Sequence, residues 1–282
     1  MSIEVKNLTY IYSEGLPHEQ VAVDDVSFEI GDESVLGIIG HTGSGKSTLV
    51  QHLNGLIKPK SGQVIVDGED ITAGRTDMSR IRKNVGLVFQ YPEYQLFEET
   101  CYLDVAFGPK NMGCDEEETQ RRVKEAVGLV GLDYEEIKDK SPFDLSGGQK
   151  RRVAMAGVIA MKPKILILDE PTAGLDPEAK RGILQLVRDV HEHEKNIIVM
   201  ISHNMTDVAC MCDKVIVMDR GRKLMDGTPS EIFAHRKELE SIGLSVPPAL
   251  ELIQKLRERG IDISEDAFTA VEAADVICEV LK

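Results

Sequence analysis

Residues 34–56 read SVLGIIGHTGSGKSTLVQHLNGL. The opening SVLGIIG is almost continuously apolar, which suits a central strand covered on both faces, and STLVQHLNGL reads as a helix ended near Gly55. Between them GHTGSGKST, 40–48, predicts a loop that cradles phosphate. Gly40, Gly43 and Gly45 let the backbone turn sharply and approach an anion without a side-chain clash. Lys46 is expected to bridge the β and γ phosphates, Ser47 to hold Mg²⁺, and the N–H groups at the start of the following helix to point at the anion. His41, Thr42, Ser44 and Thr48 complete the expected nucleotide contacts.

ILILDEPTAGLD, 165–176, adds a second apolar strand, this one ending in two acids. Carboxyl ends of central strands are where α/β sheets bind ligands. Asp169 is expected to coordinate Mg²⁺, partly through water, leaving Glu170 to polarise the attacking water or take its proton. Gln90 follows VGLVF, where its amide oxygen can join Mg²⁺ or the lytic water, and His203 follows NIIVMIS, where it can contact the γ phosphate and orient Glu170. LSGGQ, 145–149, offers Ser146, the N–H groups of Gly147 and Gly148, and Gln149 at the start of another helix. A second phosphate-binding segment is redundant if it serves the same phosphates as residues 40–48. The expected arrangement is therefore a head-to-tail pair of nucleotide domains, each donating its LSGGQ to the other's ATP, with Asp176 near the seam. Tyr12 can present its ring to adenine, and Tyr10 points to the same side of the strand.

Around these motifs the chain alternates in IEVKNLTYIY and VAVDDVSFEI, the pattern of half-buried antiparallel strands. QVIVDGEDI supplies another strand and turn, and NVGLVFQ, 84–90, a strand ending on glutamine. From about 91 to 161 the character is helical, as in DEEETQRRVKEAVGLVGL with its acids at the front. The αβ rhythm returns with ILILD, a helix over 178–194, NIIVMISH, a short helix over 205–212 and KVIVMDRGRKL at 214–224, all expected as units of a mostly parallel sheet. TPSEIFAH, 228–235, reads as a capping box with proline at the first helical position, and helices over LELIQKLRERG and near 267–281 follow. A nucleotide-binding domain over 1–230, with the helical subdomain inserted, and a C-terminal extension over 231–282 are the expected units. The extension is too small for a core of its own and is expected to pack on the main domain or a partner.

Composition narrows the function classes. The 33 Lys and Arg against 48 Asp and Glu give a net charge of −15, which opposes broad contact with nucleic acid or anionic lipid. The longest apolar run, VAMAGVIAM at 153–161, falls well short of the roughly 20 residues needed to cross a bilayer. MSIEVKN carries no export-signal pattern, so cytoplasmic residence is expected. The five cysteines, at 101, 114, 210, 212 and 278, lack paired CxxC spacing and are expected to be reduced thiols, not zinc ligands.

GHTGSGKST, Gln90, LSGGQ, ILILDE, AGLD and His203, in this order, resemble the ATP-binding cassette family over roughly residues 2–228. The resemblance implies a P-loop α/β core with an antiparallel β subdomain and an inserted helical subdomain, and ATP hydrolysis with Mg²⁺. It assigns Tyr12 to adenine stacking, Gln90 to the lid, Ser146 to Gln149 to the signature, Glu170 to catalysis and His203 to the switch. FQYPEYQLFEETCYLDVAFGPKNMG, 89–113, further resembles the ATPases of energy-coupling factor transporters, which import vitamins and transition-metal ions, and YSEGLPHEQVAVDDV resembles the second of the two related ATPases in such complexes. The implied partners are a second ATPase, either a related chain or another copy, a transmembrane coupling protein and a substrate-capture membrane protein, with this chain on the cytoplasmic face of the membrane. Tyr94, Leu96 and Phe97 would line the groove for a helix of the coupling protein, and the C-terminal tail would lie at the interface of the two ATPases. An ATPase of another transporter of the family, or an ATP-binding subunit with little turnover, stays open at this point. A soluble ATPase acting on nucleic acid or ribosomes fits poorly, because the chain has one cassette, no long coiled-coil insertion and no basic tract.

Overall fold

The computed structural model describes residues 2–74, 76–263 and 266–280. Strands β1 (Ile3–Tyr12) and β2 (Gln20–Ile30) pair antiparallel, Ile3 opposite Ile30. Strand β3 (Val35–Ile39) is buried at every residue and delivers the phosphate loop to helix α1 (Lys46–Leu53). Strands β4 (Ser61–Val66) and β5 (Glu69–Asp70) complete the first sheet in the order β2-β1-β4-β5. Helix α2 (Met78–Asn84), capped by the Asp77 carboxylate, leads into β6 (Val85–Val88).

The inserted segment is helical, as its sequence predicts: α3 (Cys101–Asn111), α4 (Glu116–Leu129), α5 (Tyr134–Ile137) and α6 (Gly147–Ile159). Asp115 caps α4 by accepting from the Glu118 N–H, and Glu116, Glu117 and Glu118 fill its first turn, where the helix dipole favours negative charge. The chain then returns to the core through β7 (Ile165–Asp169), α7 (Pro177–Glu194), β8 (Ile197–Ile201), α8 (Met205–Met211), β9 (Lys214–Asp219) and β10 (Arg222–Gly227). The second sheet runs β10-β9-β3-β8-β7-β6 and is parallel apart from β10.

Residues 214–224 therefore do not form one strand of the parallel sheet, as their apolar start predicts. Arg220 and Gly221 stand at φ 46° and 83°, and the chain reverses over these two residues into an antiparallel hairpin. Positive φ at both central positions matches the right-handed twist of the flanking strands. The signal was the Arg-Gly pair itself.

Period two explains why the central strands look uniformly apolar. On β3, Leu36 and Ile38 face a core shared with the first sheet and α1, while Val35 and Ile39 face a core shared with the insert, α7 and α8. Ile165 and Ile167 of β7 follow the first pattern, Leu166 and Leu168 the second. Both faces are covered, so these strands stay apolar up to the carboxyl end, where β7 closes on Asp169. Gly37 lets α8 approach β3, since a Cβ there would stand 2.8 Å from Cys212 Sγ.

The last helices are α9 (Pro229–Ala234), α10 (Arg236–Ser241), α11 (Pro248–Glu258) and α12 (Ala270–Val280). The Thr228/Glu231 capping box is formed in both directions. Phe233, Leu239, Leu244, Val246 and Leu250 join the core on the insert side of the sheet, and Ile253, Ile263, Ala267 and Ala273 form a small cluster between α11 and α12. Residue 281, expected to end the last helix, lies outside the described residues.

Candidate nucleotide site

Lys46 opens α1 and is only 5% exposed. Its ammonium donates to the Gly40 carbonyl at 2.8 Å and the His41 carbonyl at 2.9 Å, so it lies folded across the loop. Gly45, at φ 99°, cannot be replaced without strain, and a Cβ there would stand 2.1 Å from the Ala22 carbonyl oxygen. The β2 backbone thus presses the loop into shape from below. His41 places Nε2 3.0 Å from the Asp219 carboxylate and Nδ1 2.7 Å from the Thr42 carbonyl. Ser44 is fully buried, and its Oγ has no hydrogen-bond partner among the described residues.

Ser47, Asp169 and Lys46 are neighbours, Ser47 by a hydrogen bond to Asp169 and Lys46 by its charge. Burial pushes the Lys46 pKa down, against the pull of Glu170 and Asp169. Burial likewise pushes Asp169 up, against a hydrogen bond from Ser47, with Glu170 adding to the rise and Lys46 opposing it. A hydroxyl beside a carboxylate at the end of a phosphate loop is an oxygen-donor pair of the kind Mg²⁺ takes.

Glu170 is the centre of the constellation. Its carboxylate receives the Gln90 side-chain N–H at 3.0 Å on one oxygen and lies 2.7 Å from His203 Nε2 on the other. Strand β6 ends two residues before Gln90 and β8 two residues before His203, so parallel neighbours of β7 deliver both groups to the same edge. The backbone N–H of Glu170 donates to the Ile201 carbonyl, and its φ of 51° is a left-handed conformation. Strain of roughly 1–3 kcal/mol at such a residue persists only where the surroundings over-determine it.

Tyr12 is 39% exposed, hydrogen-bonds Thr48 Oγ1 at 3.1 Å and meets Tyr10 edge-on at 4.9 Å. Ser146 caps α6 in a capping box with Gln149, and the two residues bond to each other, not to the phosphate loop. Asp176 caps α7 through the N–H groups of Glu178 and Ala179, which hold its carboxyl below the usual range. Gln90, Asp169, Glu170, His203, Lys46 and Ser47 are thus brought to one edge, while Ser146, Gly147, Gly148, Gln149 and Asp176 sit at two helix starts.

Sequence reasoning missed three residues here. Asp219 holds His41, and Glu93 pairs with Arg151, whose side chain is 3% exposed. Neither pair has a periodic or local signal, because the partners stand 178 and 58 residues apart.

A second feature is a cleft of about 740 Å³ between α2, β6, α3 and α6. Phe97 is 57% exposed at its edge and packs edge-on against Phe107 at 5.1 Å. Tyr94 is 84% exposed, whereas Leu96 is 7% exposed and belongs to the core.

The ABC transporter family model matches residues 23–173. The energy-coupling factor transporter ATP-binding protein EcfA2 of Caldanaerobacter subterraneus subsp. tengcongensis is 55% identical over 282 residues, covering 100% of this chain and 98% of that protein. EcfA2 of Clostridioides difficile is 56% identical over 283 residues with the same coverage. Among solved structures, cbiO1 from Clostridium perfringens, part of the ABC transporter complex cbiONQ, superposes with a TM-score of 0.75 at 39% identity, covering 89% of this chain and 98% of that one. The cassette MJ0796, solved as a dimer in a post-hydrolysis state bound to ADP and Pi, gives 0.71 at 27% identity, covering 80% and 98%. With its fold, its motif order and full-length likeness to these proteins, the chain belongs to the ABC transporter family, among the energy-coupling factor transporter ATP-binding proteins.

Proposed function

We propose that this subunit drives an energy-coupling factor importer for vitamins or transition-metal ions by closing on ATP with a second cassette and passing that closure to a transmembrane coupling protein. The observation that carries the reading is one carboxylate, Glu170, held by Gln90 and His203 beside the buried Lys46. Lys46 would exchange the Gly40 and His41 carbonyls for β and γ phosphate oxygens. Ser47, Asp169 and the Gln90 amide oxygen would hold Mg²⁺, which supplies charge neutralisation on the phosphates. Glu170 accepts the proton of the attacking water, His203 contacts the γ phosphate, and Tyr12 stacks on adenine. Ser146 and the N–H groups of Gly147 and Gly148 serve the ATP of the neighbouring cassette, an arrangement supported by the dimeric state of the MJ0796 relative.

Among the described residues no helix is long and apolar enough to cross a membrane, which fits a peripheral subunit recruited by others. The cleft between α2 and α6 is the proposed seat for a helix of the coupling protein, with Phe97 as the exposed aromatic contact on its wall and the exposed Tyr94 as a further contact outside that lining. Leu96, only 7% exposed, lines the same cleft from the core side and stays a proposed contact.

Purifying the native chain from solubilised membranes is expected to retain a second ATPase and a polytopic partner; retention of ribosomal or nucleic-acid components alone would reverse the reading. Phe97→Ala is expected to weaken recruitment to membranes about 10-fold or more, the size of a truncated aromatic anchor, while ATP affinity holds. A quantitative membrane pull-down with equal retention would remove Phe97 from the interface.

A further inference from the structure

Arg151 lies two residues past the end of LSGGQ, within α6, and no role so far requires it. Its guanidinium is nevertheless fully engaged. Nε and Nη2 donate to the two carboxylate oxygens of Glu93 at 2.9 and 2.8 Å. Nη1 donates to the Ala173 carbonyl at 2.7 Å and, more weakly, to the Pro171 carbonyl at 3.4 Å. The cation also stands 5.7 Å from the centre of the Tyr91 ring, and that ring lies against Gly174. One planar cation therefore joins the segment just after Gln90 to the segment just after Glu170.

Those two segments are already joined at their other ends, because Gln90 donates to Glu170. The result is a closed circuit: the Glu170 carboxylate, Gln90, the backbone to Glu93, Arg151, the Ala173 carbonyl, and the backbone back to Glu170. A circuit of this kind has little freedom to move one member alone. Residues 95–97 continue from Glu93 along the wall of the apolar cleft, and α6 lines the same cleft through Ala154, Gly157 and Val158.

We infer that Arg151 is a positioning residue that couples the hydrolytic carboxylate to the cleft, so that nucleotide contact at Glu170 and Gln90 sets the placement of residues 91–97. The inference rests on the reading of Glu170 and Gln90 as nucleotide-site residues. Arginine is needed for its geometry: a lysine keeps the charge but, as a single point donor, cannot hold both carboxylate oxygens and the Ala173 carbonyl together.

Amide hydrogen exchange of the full-length chain, followed by mass spectrometry with and without Mg²⁺ and a non-hydrolysable ATP analogue, tests this directly. In the wild type the analogue is expected to change exchange across residues 91–97 by at least about 5-fold, the lower end of ordinary site-to-site coupling. In Arg151→Lys that response is expected to fall below about 2-fold while the analogue binds with unchanged affinity. Glu93→Gln, which keeps the side-chain shape and leaves the Ala173 bond in place, is expected to lose the response too and carries the test if Arg151→Lys does not fold. Unchanged exchange in β3, β7 and α7 serves as the folding control. A purely structural Arg151 would raise the resting exchange of 91–97 and leave the analogue response intact. That outcome, or a wild type that binds the analogue with no response at 91–97, overturns the inference. A wild type that does not bind the analogue overturns the proposed function as well, so the two failures are told apart.

Discussion

Glu170→Gln is expected to lower steady-state ATP hydrolysis by about 10²–10⁴-fold, the span of a lost general base, with ATP affinity held. The substitution keeps the side-chain shape and an oxygen that can still accept from Gln90, so the constellation around it need not move. What disappears is the group able to take a proton from water. The side chain is 19% exposed, and the Lys46 ammonium remains to hold phosphate. Phosphate release in the steady state and equilibrium binding of ATP, measured on the same preparation, separate the two effects. Turnover within about threefold of wild type, under 1 kcal/mol of barrier, would take the chemical role away from Glu170.

The left-handed backbone at Glu170 sharpens that expectation. Glu170 holds φ 51° while its N–H is tied to Ile201 and its carboxylate to two side chains from neighbouring strands. Strain held at the meeting point of three strand ends is easier to explain by chemistry than by stability, since glycine would satisfy the same turn more cheaply.

Legibility in the sequence followed the range of the interaction. Strands β3, β7 and β8 were plain from their unbroken apolar runs, because burial on both faces is written residue by residue. Helix α9 was plain from Thr228, Pro229 and Glu231, a signal contained in four residues. The hairpin over 219–222 was missed because a two-residue reversal carries only one glycine as its mark. The gathering of Gln90, Glu170 and His203 and the tie of His203 to Glu170 were expected from motif order, yet the Gln90–Glu170 bond was not, since it depends on parallel register between β6 and β7. Arg151 was hidden altogether. It sits in a run of basic residues that reads as a solvated helix face, and only the fold shows that it points into the molecule toward Glu93.

Gly148→Asp should lower hydrolysis by about 10³-fold while leaving the isolated chain as stable as before, because its effect on this chain and on a neighbour's ATP have opposite signs. A Cβ at Gly148 meets nothing within 4 Å, so the fold has room for the new side chain. The position lies in the first turn of α6, where an acid is favoured by the helix dipole by roughly 0.3–1 kcal/mol. Facing a phosphate of a second cassette, the same carboxylate would be repelled by about 4 kcal/mol at 4 Å and an effective dielectric of 20, equivalent to roughly 10³-fold. Thermal unfolding and hydrolysis of the assembled pair therefore diverge if the segment works across a seam, and move together if it is merely structural. Complementation decides which chain's ATP is served. In a pair of copies, mixing Gly148→Asp with Lys46→Ala creates one composite site with both lesions and one with neither, so about a quarter of the wild-type sites are expected to return on random pairing of a head-to-tail interface. Activity that stays absent on mixing, with pairing confirmed by size, would mean that each signature serves its own chain's phosphates, and the closing of two cassettes on shared ATP could not be the source of the force.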